Sequence, residues 1–455
     1  MFDHRPRERD GQRTRPLPPI LDSAAPAVTA CGGTARNAAR CTTQGGLVDR
    51  FASIRGCAHG IHPVIVGPAF VVTGGRAPQV LEDGGVRVCG AHVAQVARIA
   101  TLAASYPNET LWPARGRVLM PGLVNTHVHL ARHLGRGAGA IDWRRYDRAL
   151  APEDVYWGSL ASMVEGVQHG ITTFYDLHRS ERCLDLSLSE VTRAATKLGV
   201  RVATGYAASQ SDSPAERAAA RRESMSLAAE LRRRRHGRLR GALAVQASTM
   251  SGLGVLMEEA LESLGDDTAL QVELGFETVP DQGLVPGRSG TGPLLWAHAD
   301  AAPQSLIESA LAHGDLMSST RTGTGHPRFA WGSDANLNAP PLPAAELSAA
   351  EADLYYRRVW VNGPEWAARH FGEGLGVIEP GAPADLVLFD YAPPTPFDGN
   401  TVLEHLVGGL ARARVSGVMV AGEIVVDHGQ LVTVDQTEVA ARARECARRV
   451  WSELG

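Results

Sequence analysis

From about residue 117 to 375, short apolar runs alternate with stretches whose apolar positions recur at helical spacing. A short apolar run bounded by turn residues reads as a buried strand, and the 3.6-residue period beside it as a covering helix. The repeat therefore predicts consecutive βα units with parallel pairing. Eight candidate strands can be counted: RVLMPGLVNTHVH, ITTFYDLH, VRVATGYAAS, LRGALAVQAS, TALQVELGFE, PLLWAHAD, GDLMSS and RFAWGSD, separated by helices such as SLASMVEGVQHG and SLIESALAHG. Eight is the number that closes a (β/α)8 TIM barrel. On either side the texture is β-rich: PVIVGPAFVV and GVRVCG before the barrel, ADLVLFD and RVSGVMVAGEIVVDHG after it. These predict a small β-sandwich-like domain built from residues 61–120 and 376–432, with the barrel at 121–375 and a helix at 433–455 that docks through Val439, Ala443, Val450 and Trp451. Residues 1–60 mix Pro, Arg, Gly, Ala and Thr without a period and read as a poorly ordered leader in which His59 is incidental, as is His62 just past it.

Composition narrows the function classes. A formal charge of -4 leaves no basic footprint for nucleic acid, and small neutral substrates suit it best. No apolar run is long enough to span a membrane, and the start MFDHRPRERDGQRTRP carries charges where a secretion signal needs an apolar core. A cytoplasmic, membrane-free protein is expected. The six cysteines form no CxxC pair, so neither a disulfide framework nor a cysteine-bound zinc is expected and reduced thiols are the default. The arginine-rich helix around AERAAARRESMSLAAELRRRRHGRLR reads as a solvated outer face.

In a barrel of this kind, polar residues at the C-terminal strand ends face the active-site mouth. By that rule strand one presents Asn125, His127 and His129, strand two Asp176 and His178, strand four Gln246, strand five Glu273, strand six His298 and strand eight Asp334. His127 and His129 are two apart, so an extended strand turns both imidazoles to one face, where they can share a metal ion. With 16 histidines in 455 residues, chance gives about 0.6 such pairs, so the pair alone is weak. Its context is specific: an apolar strand, Pro121 and Gly122, then the pair, with another histidine and an aspartate ending strands six and eight.

The segment VLMPGLVNTHVHL resembles the signature of the amidohydrolase superfamily, WGSDANLN its last-strand aspartate motif, and LGVIEPGAPADLVLFD its return to the satellite sheet. The chain resembles the selenium-metabolism aminohydrolase (SsnA-type) branch, near the triazine and guanine deaminase-like enzymes. The likeness runs from about residue 63 to 455. It implies a hydrolase acting on carbon-nitrogen (non-peptide) bonds, deaminase-like, with one divalent metal ion (zinc, iron or manganese) and a small-molecule substrate; a homodimer follows by analogy. It also implies that His127, His129 and Asp334 are metal ligands, that Asp334 takes up a proton from water at the metal, and that His298 polarises the substrate.

Several positions depart from the pattern. Where the family's fifth strand carries a histidine ligand and, three residues on, a catalytic glutamate, this chain has Glu273 and Phe276; a substrate-site histidine at strand four is Gln246. Glu273 as a ligand in place of a histidine adds negative charge, weakens the ion as a Lewis acid and favours iron or manganese. A lysine-bridged two-metal site needs a lysine at a strand end, and the only lysine, Lys197, lies in a helix before strand three. Proton transfer to the leaving nitrogen falls to Glu277 or to His178 and Asp176 of strand two, and Gln246, Asn336 and His133 are candidate substrate contacts. The alternatives are helix capping and arginine pairing for the acids and a surface loop for His133. The departures leave two further readings open: a non-hydrolytic metal enzyme (lyase or isomerase), or an inactive barrel that binds a ligand or partner.

Overall fold

The structure is a computed structural model that describes residues 62–265, 268–275, 292–321, 326–344 and 347–454. Strands β1 (Val64–Val72), β2 (Val80–Cys89), β3 (His92–Arg98), β4 (Thr110–Pro113) and β5 (Val118–Pro121) precede the barrel. The barrel strands are β6 (Leu123–Val128), β7 (Ile171–His178), β8 (Arg201–Ser209), β9 (Leu239–Ala247), β10 (Ala269–Leu274), β11 (Leu294–Ala297), β12 (Leu316–Ser319) and β13 (Phe329–Trp331). Strands β14 (Leu386–Phe389), β15 (Val415–Val420), β16 (Glu423–Asp427) and β17 (Gln430–Leu431) follow. The sheet β6 to β13 is parallel and in chain order, whereas the flanking segments merge into one nine-stranded sheet through the β14–β5 antiparallel pair. That sheet has its own core, in which Val86, Val88 and Leu119 from one segment pack with Leu386, Leu388 and Met419 from the other.

The run RVLMPGLVNTHVH, read as one strand, is two. Val118–Pro121 pairs within the satellite sheet and Leu123–Val128 within the barrel. Gly122 is the break: a Cβ there would lie 2.3 Å from Thr172 Oγ1, so only glycine lets the chain pass this close to β7 as it changes sheets.

The barrel closes between its first and last strands beside the candidate ligands. Val128 bridges to Asp334, Ser333 N donates to His127 O at 2.9 Å, and His129 N donates to Asp334 O at 3.2 Å. Asn125 reinforces the seam, its Nδ2 donating to Ser333 Oγ at 2.8 Å and to Asn338 Oδ1 at 2.7 Å. Alternation along the strands fills the interior with Tyr175, Ala203, Ala242, Ala269, Leu295 and Ala330, above which lie Leu177, Ala207 and Ala244. Helix Asn362–Phe371 plugs the floor with Trp366. Next to it His370 accepts from Tyr175 Oη at 3.2 Å, and burial with the charge of Arg240 pulls its ring down to about 3.

An unfolded His370 takes up a proton below about pH 6.5 that the folded chain refuses until near pH 3, so folding stability declines as pH falls through this window. Between pH 7.5 and 5.5, wild type is expected to lose about 1 kcal/mol more than His370→Gln in urea titrations. Equal losses would show that His370 does not titrate this way.

The C-terminal helix spans Gln436–Leu454 and buries Val439, Ala443 and Val450, while Trp451 stays partly exposed and its indole N–H donates to Leu134 O at 2.7 Å. Cys183 and Cys446 are free thiols, whereas Cys89 is disulfide-bonded, a departure from the reduced state expected of every cysteine. The leader, residues 1–60, and Glu277 lie outside the described residues. No described helix is long and apolar enough to cross a membrane.

Candidate metal centre

Five side chains from the ends of four strands converge. His129 Nε2 lies 3.3 Å from Asp334 Oδ1 and 3.5 Å from Glu273 Oε1. His298 Nε2 lies 3.8 Å and 3.7 Å from the same two oxygens, and His127 Nε2 is 3.8 Å from Asp334 Oδ1. Two donors each about 2.1 Å from one tetrahedral ion stand about 3.4 Å apart, so these spacings suit a shared cation. Donor atoms of His127, Glu273, His298 and Asp334 all fall within 4.8 Å of one another. His298 thus stands among the donors themselves, closer in than a residue that only polarises substrate needs to be.

Local structure explains the convergence. The β6–β7 register shifts between Asn125 and Val128, an irregularity of the kind that re-aims side chains at barrel rims. His298 and Asp334 both adopt left-handed backbone, with φ of 56° and 58°. That conformation is costly for residues with a Cβ and is typical of functional strand ends. His129 Nδ1 donates to Leu177 O at 2.7 Å, which fixes the tautomer and leaves Nε2 facing the carboxylates.

The fit to a cation rests on polar atoms that nothing else among the described residues satisfies. Both nitrogens of fully buried His127 and Nε2 of His129 have no hydrogen-bond partner among the described residues. Buried polar atoms left this way are costly unless a ligand completes them. Burial and the neighbouring histidines pull His127 down to about 3, so it is neutral and able to ligate. Burial and Arg132 push His129 down as well, but the Glu273 and Asp334 carboxylates overcome both and lift it to about 9. Burial opposes the charge on Glu273 and Asp334, yet the histidines hold both well below the usual carboxylate range. A positive charge between two carboxylates is what this pocket stabilises, and a divalent ion meets the same demand.

Other expected site residues lie elsewhere. The alternation that turns Tyr175 and Leu177 inward sends Asp176 and His178 to the outer face of β7. His178 Nε2 bonds Ser180 Oγ at 2.8 Å and its ring packs edge-on against Tyr206, so it does not face the site as expected. Asp176 accepts from Leu130 N at 2.9 Å and Thr204 Oγ1 at 2.7 Å, which braces the turn after His129. His133 faces Glu165 at 4.0 Å, and exposed Asn336 accepts from Arg136 through its backbone carbonyl. Gln246 Nε2 donates to Glu273 Oε2 at 3.0 Å, so one of its two amide hydrogens is engaged within the protein. The buried ion pair of Arg132 with Asp147, at 2.8 Å, was not anticipated; nothing in the spacing of an arginine and an aspartate 15 residues apart announces it.

The amidohydrolase family profile matches residues 118–264 and 366–425, which hold the first four barrel strands and the return to the satellite sheet. Over these two segments the chain is similar to the amidohydrolase family. The match includes His127 and His129, while Glu273, His298 and Asp334 lie in the interval between its two parts. Among relatives, the chain is 23% identical to a 5-methylthioadenosine/S-adenosylhomocysteine deaminase of Pelotomaculum thermopropionicum, over 85% of this chain and 98% of that one. It is 27% identical to the enzyme of the same name from Desulforudis audaxviator, over 74% and 88%. Among solved structures, an adenosine deaminase from Xanthomonas campestris with bound zinc superposes with a TM-score of 0.64 at 20% identity, covering 86% of this chain and 98% of that one. Atrazine chlorohydrolase from Arthrobacter aurescens complexed with zinc gives 0.61 at 18%, covering 84% and 100%. These likenesses establish the barrel with its satellite sheet.

Proposed function

We propose that this protein is an amidohydrolase-type, metal-dependent hydrolase of carbon-nitrogen (non-peptide) bonds that removes an amino group from a small heterocyclic or amidine-like substrate. The observation that carries the reading is the group of buried, unpartnered histidine nitrogens set at ligand spacing from two ionised carboxylates. His127, His129, Glu273 and Asp334 would hold one divalent ion, with His298 close beside them. When bound, such an ion supplies the Lewis acidity that makes water nucleophilic near neutral pH. Asp334 and His298 are the more open members, with side chains 27% and 24% exposed against 0% for His127, so substrate meets the site on their side. Asp334, held ionised, is the base that accepts a proton from the attacking water; His298, with Nδ1 3.3 Å from Thr320 Oγ1, is placed to steady charge that builds on the substrate. Glu277 is assigned delivery of a proton to the leaving nitrogen. The deaminase names of the relatives favour an aminated purine or its nucleoside as the first class to test.

The test is ammonia release from aminopurine nucleosides, aminopyrimidines and aminotriazines by protein reconstituted with zinc, iron(II) or manganese. Metal-dependent release that a chelator stops is expected. One tightly bound metal per chain with no release from any of these compounds would move the chain to the non-hydrolytic metal enzymes.

A further inference from the structure

We infer that Gln246 is the positioning residue for Glu273: its amide holds one carboxylate oxygen and thereby makes Glu273 a one-oxygen ligand. The inference rests on the metal-centre reading above. Gln246 and Glu273 stand opposite each other in the parallel β9–β10 register, and alternation turns both inward above Ala244 and Gln271. The two oxygens of Glu273 are used differently. Oε2 accepts from Gln246 Nε2 at 3.0 Å, while Oε1 lies 3.5 Å from His129 Nε2 and 3.7 Å from His298 Nε2.

A carboxylate only accepts, so the Gln246 amide must present its NH2 to it, and its own carbonyl is directed elsewhere. The choice of glutamine also matters electrically. An arginine here would neutralise the extra negative charge that Glu273 brings, whereas a neutral amide fixes the orientation and leaves the charge for the ion. Without Gln246, a nearly buried carboxylate would keep one oxygen unsatisfied and could rotate until both oxygens compete for the ion.

The test is cobalt(II) titration of metal-free full-length protein, followed by visible absorption, on wild type, Gln246→Met, Glu273→Gln and the double variant. Gln246→Met is expected to weaken cobalt binding roughly ten- to a hundredfold and to shift the cobalt absorption band, with far-ultraviolet circular dichroism unchanged. In the Glu273→Gln background the same change is expected to add less than about threefold, because Gln246 acts through Glu273. Wild-type affinity and spectrum in Gln246→Met, or an equal loss in both backgrounds, would overturn the inference while leaving the metal centre standing. Wild type that binds neither cobalt, zinc nor manganese would overturn the metal centre and this inference with it. If Gln246→Met unfolds, Gln246→Asn, which keeps the amide but shortens its reach, is read in the same way.

Discussion

His127→Ala is expected to leave the purified protein with less than about a tenth of the metal bound by wild type and to cut turnover by at least about a thousandfold. The ring is fully buried, holds its Nε2 3.8 Å from Asp334 Oδ1, and forms no other polar contact among the described residues. Its removal therefore acts on the ion and on nothing else that is polar. A ligand that binds only the folded chain stabilises it by about 4 kcal/mol at a thousand times its dissociation constant. Wild type should show such a shift in melting temperature on metal addition and His127→Ala should not. Elemental analysis beside the melting curves checks both parts, and a variant that keeps one metal per chain would remove His127 from the ligand set.

The second large effect is structural. Arg201→Met is expected to cost about 3 to 5 kcal/mol in denaturant titrations while metal content per folded chain stays at the wild-type level. Arg201, 1% exposed, donates to Asp385 at 2.7 Å and 3.2 Å, and Asp385 also accepts from Ala421 N at 2.7 Å. The pair joins the start of β8 in the barrel to the residue before β14 in the satellite sheet. Loss of the guanidinium leaves a buried carboxylate without its counter-charge, so the cost comes from the stranded Asp385 more than from the lost attraction. Replacing both by apolar residues should recover part of the loss. A loss under about 1 kcal/mol for Arg201→Met alone would show that the two sheets are held together by their apolar contacts.

The barrel was legible because burial on both faces writes apolar strands and covering helices writes a 3.6-residue period; both patterns survive in the linear text. The same logic exposed His127, His129, Glu273, His298 and Asp334 as candidates, since a polar residue ending an apolar run needs a reason to be there. Which partner a side chain meets depends instead on register and on strand face. Strand-end position placed His178 with the site, but one step in the alternation puts it behind β7 against Tyr206. Gln246 meets Glu273 only because β9 and β10 pair at that offset, a choice no spacing within either strand reveals. The division of VLMPGLVNTHVH between two sheets was hidden for a similar reason. Gly122 marks it, but a glycine in an apolar run is equally a bulge or a close approach.

The closure at Asn125, His127 and Asp334 has a consequence for the order of assembly. Asn125 and Ser333 meet across 208 residues of chain, and loop-closure entropy makes contacts so distant in sequence the slow ones to form. His127, His129 and Asp334 flank that seam, so the donor set is complete only once the first and last strands have met. A nascent or truncated chain that ends before residue 334 can build most of the barrel wall and carry the other four donors, but it lacks Asp334 and so cannot complete the set.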